Sequence, residues 1–275
     1  NNVFAGNAMQ EDLNTPQGTQ NRLDALNTLM ARRQYTELAN SPVGRRILLT
    51  FAKMRDNTPQ GRQERLDALD TLIAGRSYYR VLREDPYGID ILLTLAKIPD
   101  NTTQGIQNRL DALNTLKDRR SYDDLSISPV GREILLTLAK IPSDPHRQLE
   151  ALDTLIDGRP YDDLSASSEG KDILLTFAKV PDSTLQGIQE RLEALDALIA
   201  GKTYAELAND SVGRKILLAF AKIPDNTPQG KQKQLDALNA LIAGKTYAEL
   251  ANDSVGRDIL LTFAKVPDST LQGIQ

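Results

Sequence analysis

The chain has 275 residues, of which 40% are hydrophobic and 25% charged, with a net charge of −4, one histidine, no cysteine and no tryptophan. That composition excludes disulfides, cysteine-based zinc sites and a thiol nucleophile, and no apolar run is long enough to span a bilayer. Mild acidity argues against a phosphate-binding surface, which needs a clear basic patch.

Along the chain the motif Leu-Asp/Glu-Ala-Leu recurs, its first leucine at Leu23, Leu66, Leu110, Leu149, Leu192 and Leu235, with spacings of 43, 44, 39, 43 and 43. Fourteen residues, GKTYAELANDSVGR, stand unchanged at 201–214 and 244–257, and DILLTFAKVPDSTLQGIQ at 172–189 returns at 258–275. A fixed period of this length marks stacked supersecondary units rather than an ordinary globule. The six anchors predict that 1–275 is a single array, cut within a repeat at both ends. Lack of cysteine suits bacterial export, without fixing a location.

Each unit predicts three helices. The short one opens at a recurrent tyrosine: Tyr35, Tyr78, Tyr122, Tyr161, Tyr204 and Tyr247. Thr203 with Glu206 three residues later reads as a capping box for it. The middle helix starts at Ser41-Pro42, Ser128-Pro129 or Asp210, cap then first turn, and runs to Lys53, Lys97, Lys140, Lys179, Lys222 or Lys265. Those lysines suit the negative end of a helix dipole. The long helix starts at Thr58-Pro59 or Thr227-Pro228 and stops at Gly75, Gly158, Gly201 or Gly244, a left-handed terminator.

Leu66, Leu69, Leu72 and Ile73 put one apolar face, about a third of the cylinder, on the long helix. The middle helix, with Ile47, Leu48, Leu49, Phe51 and Ala52, is apolar around most of its circumference. No unit can bury such faces alone, so neighbours must stack and share a core. A glycine recurs early in the middle helix, at Gly44, Gly88, Gly131, Gly170, Gly213 and Gly256. Helical glycine costs about 1 kcal/mol relative to alanine, so its repeated use predicts close backbone approach by the short helix. The tyrosines read as packing residues with hydroxyls at the rim.

A short, medium and long helix triplet with glycine at the first bend resembles an armadillo repeat, with HEAT repeats a near relative, over about residues 30–275. The resemblance implies an all-α fold, a right-handed α-solenoid or superhelix of about six three-helix repeats of ~43 residues, each advancing about 10 Å. It also implies that the long helices line a concave groove. In peptide-binding armadillo proteins that helix carries a tryptophan and, four residues on, an asparagine. Here Asp24, Asp67, Asp111, Glu150, Glu193 and Asp236 take the tryptophan position, and Thr28, Thr71, Thr115, Thr154, Ala197 and Ala240 the asparagine position. The scaffold is therefore implied, but its usual peptide clamp is not.

The polar side of the long helix forms a candidate partner-binding stripe: Gln63, Asp67 and Asp70; Gln107, Asp111 and Asn114; Glu150 and Asp153; Gln189, Glu193 and Asp196; Gln232, Asp236 and Asn239. With Asp24 it holds nine carboxylates, none with a cation three or four residues away on the stripe. The readings open here are a solvated face, an acidic groove for a basic partner, and salt bridges across units from Arg65, Arg109 or Arg191. Lys215, Lys231 and Lys233 replace Asp172, Ile188 and Glu190 of the preceding unit and make the surface mixed.

The fourth unit is four residues short, starts its long helix at Asp144-Pro145, lacks the stripe glutamine and contains His146. A single histidine leaves no Ser–His–Asp set, and the Pro-Gln-Gly triplets lack the context of a phosphate loop. The expectation is a non-enzymatic protein-binding scaffold without cofactor or metal, its acidic-to-mixed groove holding an extended, partly basic polypeptide. Two alternatives stand beside it: a structural spacer in a larger secreted or surface protein, and a repeat-type nucleic-acid binder using Lys215, Lys231 and Lys233.

Overall fold

The computed structural model describes residues 16–30, 34–54, 58–74, 86–118, 120–182, 184–224 and 227–265. Gly75 and Tyr78 lie outside them. The described residues form seventeen α-helices and no strand. In chain order these are α1 (Pro16–Met30), α2 (Tyr35–Ala39), α3 (Pro42–Lys53), α4 (Pro59–Ile73), α5 (Pro86–Lys97), α6 (Thr103–Lys117), α7 (Tyr122–Ser126), α8 (Pro129–Ala139) and α9 (Pro145–Ile156). They continue as α10 (Tyr161–Ser165), α11 (Ser168–Phe177), α12 (Leu185–Ile199), α13 (Tyr204–Ala208), α14 (Ser211–Lys222), α15 (Pro228–Ile242), α16 (Tyr247–Ala251) and α17 (Ser254–Phe263).

The starts are fixed by short polar side chains. Ser41, Ser128 and Ser167 accept from the amides of Gly44, Gly131 and Gly170 at 2.9–3.0 Å. Asp210 and Asp253 do the same for Gly213 and Gly256. Thr58, Thr102, Thr184 and Thr227 open the long helices in the same way, each at 3.0 Å, and Asp144 opens the shortened α9. Each cap satisfies one of the amides that a helix start leaves without a partner. Both capping boxes, Thr203 with Glu206 and Thr246 with Glu249, are formed. Gly158, Gly201 and Gly244 have φ of 68°, 75° and 72°, as terminating glycines should. Where α6 ends without one, Asp118 takes the positive φ, 45°.

The glycine of the middle helix is explained by contact. A Cβ on Gly44, Gly170, Gly213 or Gly256 would lie 1.9–2.3 Å from the carbonyl oxygen of Leu38, Leu164, Leu207 or Leu250. The short helix therefore presses backbone against backbone. A second steric role falls to Gly105 and Gly187, where a Cβ would meet the carboxyl groups of Asp100 and Asp182. Those carboxylates accept from the amides of Thr102 and Thr184 at 3.0 and 2.8 Å and brace the turn before the long helix.

The chain divides into two compact units, residues 1–125 and 126–275. In the first, α3 packs on α4 and α1, and both α3 and α4 touch α5, which packs on α6. In the second, α8 packs on α9, both touch α11, α12 joins α11 to α14, and α14 with α15 touches α17. Within each compact unit, successive repeats thus share a core. A cluster of Leu207, Leu217, Leu218, Ala221, Leu238 and Ile259 draws on α13, α14, α15 and α17 together. Residues Ile216 to Ala221 of α14 are all buried, so the middle helix is enclosed on most sides.

The long helix departs from the apolar face expected of it. Its buried line is Gly61, Arg65, Ala68, Leu69 and Leu72 in α4, while Leu66 and Ile73 are only half-buried. Arg65, Arg109 and Arg191, for which bridges across units were one of three open readings, are 7–8% exposed. Each Nε donates to a carbonyl at the end of its own unit's middle helix: Ala52 at 2.7 Å, Ala96 at 2.8 Å and Ala178 at 2.9 Å. Gln148 replaces the arginine in the fourth unit and donates to Ala139 and Ile141 at 2.8 and 2.7 Å. Gln234 likewise bonds the Ile223 carbonyl. The reason is that a helix C-terminus buried by its neighbours has carbonyls that water cannot reach, and a long donor side chain satisfies them.

Candidate functional site

With Arg65, Ala68 and Leu69 turned inward, the opposite side of α4 must face out. Gln63, Asp67 and Asp70 are exposed, as are Gln107 and Asn114 on α6, with Asp111 half-buried. The carboxylates are engaged along their own helix. Gln63 Nε2 donates to Asp67 Oδ1 at 2.8 Å, Gln107 to Asp111 at 2.7 Å, and on α1 Gln20 to Asp24 at 2.9 Å. A glutamine one turn before an acid holds the carboxylate upright without cancelling its charge. Burial, then the neighbouring Asp67, raises the pKa of Asp70.

In the second unit Glu150, Asp153, Gln189, Glu193, Asp196, Gln232, Asp236 and Asn239 are all exposed, on α9, α12 and α15. Gln189 donates to Glu193 and Gln232 to Asp236, both at 2.9 Å. Glu150 has the exposed His146 one turn before it instead of glutamine, so the amide row is interrupted there. Lys233 lies 3.6 Å from Asp196 Oδ2 and 5.7 Å from the centre of the Phe220 ring. The surface is accordingly mixed at α15 and acidic at α12.

Tyr161 and Tyr204 lie within electrostatic reach of the stripes of two successive long helices. Tyr204 is half-buried, and burial followed by the charges of Asp196 on α12 and Asp236 on α15 raises its pKa. Tyr161 is raised by burial and then by Glu190 and Glu193 on α12 and Asp153 on α9. Their rings rest on Phe220 and Phe177 at 6.3 and 6.4 Å, tilted by 55° and 52°. Tyr35 in the first unit repeats the arrangement with Phe51 at 6.3 Å, under Glu64 and Asp67. Tyr161, Glu193, Asp196 and the small Ala197 and Ala200 line an open cleft of about 420 Å³.

The position that matches the armadillo asparagine is spent internally. The hydroxyls of Thr28, Thr71, Thr115 and Thr154 donate to the carbonyls of Asp24, Asp67, Asp111 and Glu150 at 2.7–2.9 Å. Amide chemistry on this face comes from the glutamines instead. The spacing of four between Gln and Asp or Glu was present in the sequence and signals these bonds.

The lysines closing the middle helices reach beyond the dipole they were expected to complement. Lys53 pairs with Asp90, Lys140 with Asp172 at 2.5 Å, and Lys222 with Asp258 at 2.5 Å, each joining one repeat to the next. Arg132 adds a pair with Glu169 at 2.9 Å. Among the described residues there is no cluster of three or more metal-ligating side chains, and no helix long and apolar enough to cross a membrane. No protein-family model matches the chain, and no characterised protein or solved structure shows significant similarity to it.

Proposed function

We propose that the chain is a non-enzymatic protein-binding scaffold whose long-helix faces hold an extended, partly basic polypeptide. The observation that carries this reading is the bracketing of Tyr204 by Asp196 and Asp236, carboxylates of two successive long helices. Such an alternation of acid and half-buried ring suits arginine or lysine side chains. The cation pairs with the carboxylate, and its stem or guanidinium lies on the ring. The stripe glutamines still have acceptor and donor capacity for a peptide backbone. An armadillo-like, right-handed superhelix of about six units would set these faces in one concave row, each repeat adding a similar subsite.

Single exposed ion pairs are worth about 0.2–1 kcal/mol, so micromolar affinity requires several at once. Such binding must weaken with salt, because exposed charges are screened beyond about 8 Å at physiological ionic strength. The test is fluorescence anisotropy with a labelled arginine- and lysine-rich peptide at two salt concentrations. The proposal expects saturable binding that falls with salt and falls about tenfold or more in the Glu193→Gln, Asp196→Asn, Asp236→Asn triple variant. A structural spacer would bind no such peptide, and a triple variant equal to the wild type would refute the assigned face.

A further inference from the structure

Within residues 126–275, the row of lysine–aspartate pairs along the middle helices is interrupted once among the described residues. Lys53, Lys140 and Lys222 each meet an aspartate from the next middle helix, at Asp90, Asp172 and Asp258. The position facing Lys179 is occupied by Lys215, which stands two residues after Gly213 as Asp172 stands after Gly170 and Asp258 after Gly256. Neither Lys179 nor Lys215 has an ion pair among the described residues. Lys140, Lys215 and Lys222 all bear on Lys179, against a single carboxylate, Asp172, which Lys140 already engages. Burial, then Lys215, holds the Lys179 ammonium below the usual lysine range. In a protein of net charge −4 this is a concentrated, uncompensated positive locus.

A cleft of about 570 Å³ opens beside it. Its rim carries Lys179 and the paired Lys140 and Asp172, and its wall is Pro142, Leu175 and Val180 over Gln148; Lys215, which bears on Lys179, is not among its lining residues. The cleft occurs where a glutamine has replaced the longer buried arginine. A similar one, about 410 Å³, lies beside Gln234, with Lys222 paired to Asp258 as Lys140 is to Asp172; the first cleft differs in that Lys215 bears on its other rim lysine, Lys179.

We propose that the α11–α14 seam binds an acidic polypeptide, seating a carboxylate between Lys179 and Lys215 and an adjacent aliphatic or prolyl side chain in the cleft beside Gln148. The carboxylate takes the role that aspartate plays at the other seams and relieves the repulsion between two ammonium groups. A peptide fits better than a nucleic acid. The cleft holds one or two side chains, and its lining residues include no aromatic ring on which a base could stack. This surface is separate from the long-helix stripe and takes ligands of the opposite sign.

The test uses the whole chain and a labelled peptide of alternating glutamate and proline, followed by fluorescence anisotropy at low salt. The wild type is expected to bind saturably. Lys215→Asp and Lys179→Gln are each expected to lose about tenfold or more in affinity, while Lys245→Gln, a remote charge control, stays within about twofold. Lys215→Asp also restores the ladder, so its thermal midpoint should rise, which separates lost binding from lost folding. Equal affinity of Lys215→Asp and Lys245→Gln would overturn the site. So would an absence of binding, or a single-stranded oligonucleotide binding more tightly than the peptide.

Discussion

The carbonyl oxygen of Leu207 occupies the space beside Gly213 so closely that a methyl group there would stand 2.3 Å from it. Neither partner can rotate away, because the obstacle is backbone. Gly213→Ala gains about 1 kcal/mol of helix propensity, but forces α13 off α14, an overpacking that costs about 1–3 kcal/mol or more. With backbone on one side the upper end applies, and the account predicts a net loss of about 2 kcal/mol, read as a lower urea midpoint. An unchanged or higher midpoint would show that the short helix yields freely.

Arg109 and Gln148 perform one task with different side chains, which sets an order of tolerance. Arg109→Gln retains a donor for the Ala96 carbonyl and should cost about 1 kcal/mol. Arg109→Leu removes a desolvated charge, a change that is often neutral for paired ions. Here the partner is a backbone carbonyl that stays behind, and leaving it unsatisfied costs about 1–3 kcal/mol. The leucine variant should therefore be the less stable by about 1–2 kcal/mol in chemical denaturation. Equal stability would mean that the carbonyl finds water.

Arg214 has Nε and one Nη buried without an acceptor. The equivalent Arg132 gives its Nε to Glu169 at 2.9 Å, and the position of Glu169 is Val255 in the next repeat. Val255→Glu should supply the missing acceptor at the cost of some packing against the Leu217 and Leu238 cluster. The informative quantity is the coupling in a cycle with Arg214→Gln, expected near 0.5–1 kcal/mol. Strict additivity would show that the new carboxylate does not reach the guanidinium.

Acid should destabilise the fold. Asp100, Asp182, Asp210 and Asp253 have lowered pKa values because backbone amides bond the ionised form, as they do for the capping-box Glu206 and Glu249, and Asp124 is lowered by the Ser121 hydroxyl and then the Ser121 amide. Such groups bind fewer protons folded than unfolded, so their stabilisation is present at neutral pH and lost as pH falls through the lowered values. Asp70 and Asp153 are raised by burial and oppose the trend, since protonating them favours the folded state. Seven against two gives a net loss below about pH 4. The double variant Asp210→Asn, Asp253→Asn keeps both caps but cannot titrate, and its urea midpoint should fall less steeply between pH 5 and pH 3 than that of the wild type. An equally steep fall would place the acid sensitivity elsewhere.

Much of the fold is legible before any coordinates, because the deciding interactions are local. Ser41-Pro42, Thr58-Pro59 and Thr203 with Glu206 mark helix starts within four residues of themselves, and Gly201 and Gly244 mark ends. The close approach at Gly44 is legible from its recurrence alone. The burial of Arg65, Arg109 and Arg191 is not legible from periodicity, which scores arginine as polar wherever it stands and leaves bridges across units as one open reading among three. The replacement of Arg65, Arg109 and Arg191 by Gln148 and Gln234 within a constant setting was the available signal of a shared donor role. Pairs such as Lys140 with Asp172, 32 residues apart, need the repeats superposed before either partner points to the other. The stripe residues were found on the exposed side because they lie opposite the buried line, but the bracketing of Tyr161 and Tyr204 depends on two helices at once.

The most direct measurement is a map of where a basic peptide lands. Backbone amide chemical shifts of the isotopically labelled chain, recorded as an arginine-rich peptide is titrated, report each contact surface separately. The account predicts that the largest changes fall on Gln189, Glu193, Asp196, Gln232, Asp236 and Asn239 and on the side of Tyr161 and Tyr204, with the middle helices quiet. Changes concentrated on α11, α14 and α17, or scattered evenly over every exposed carboxylate, would contradict it.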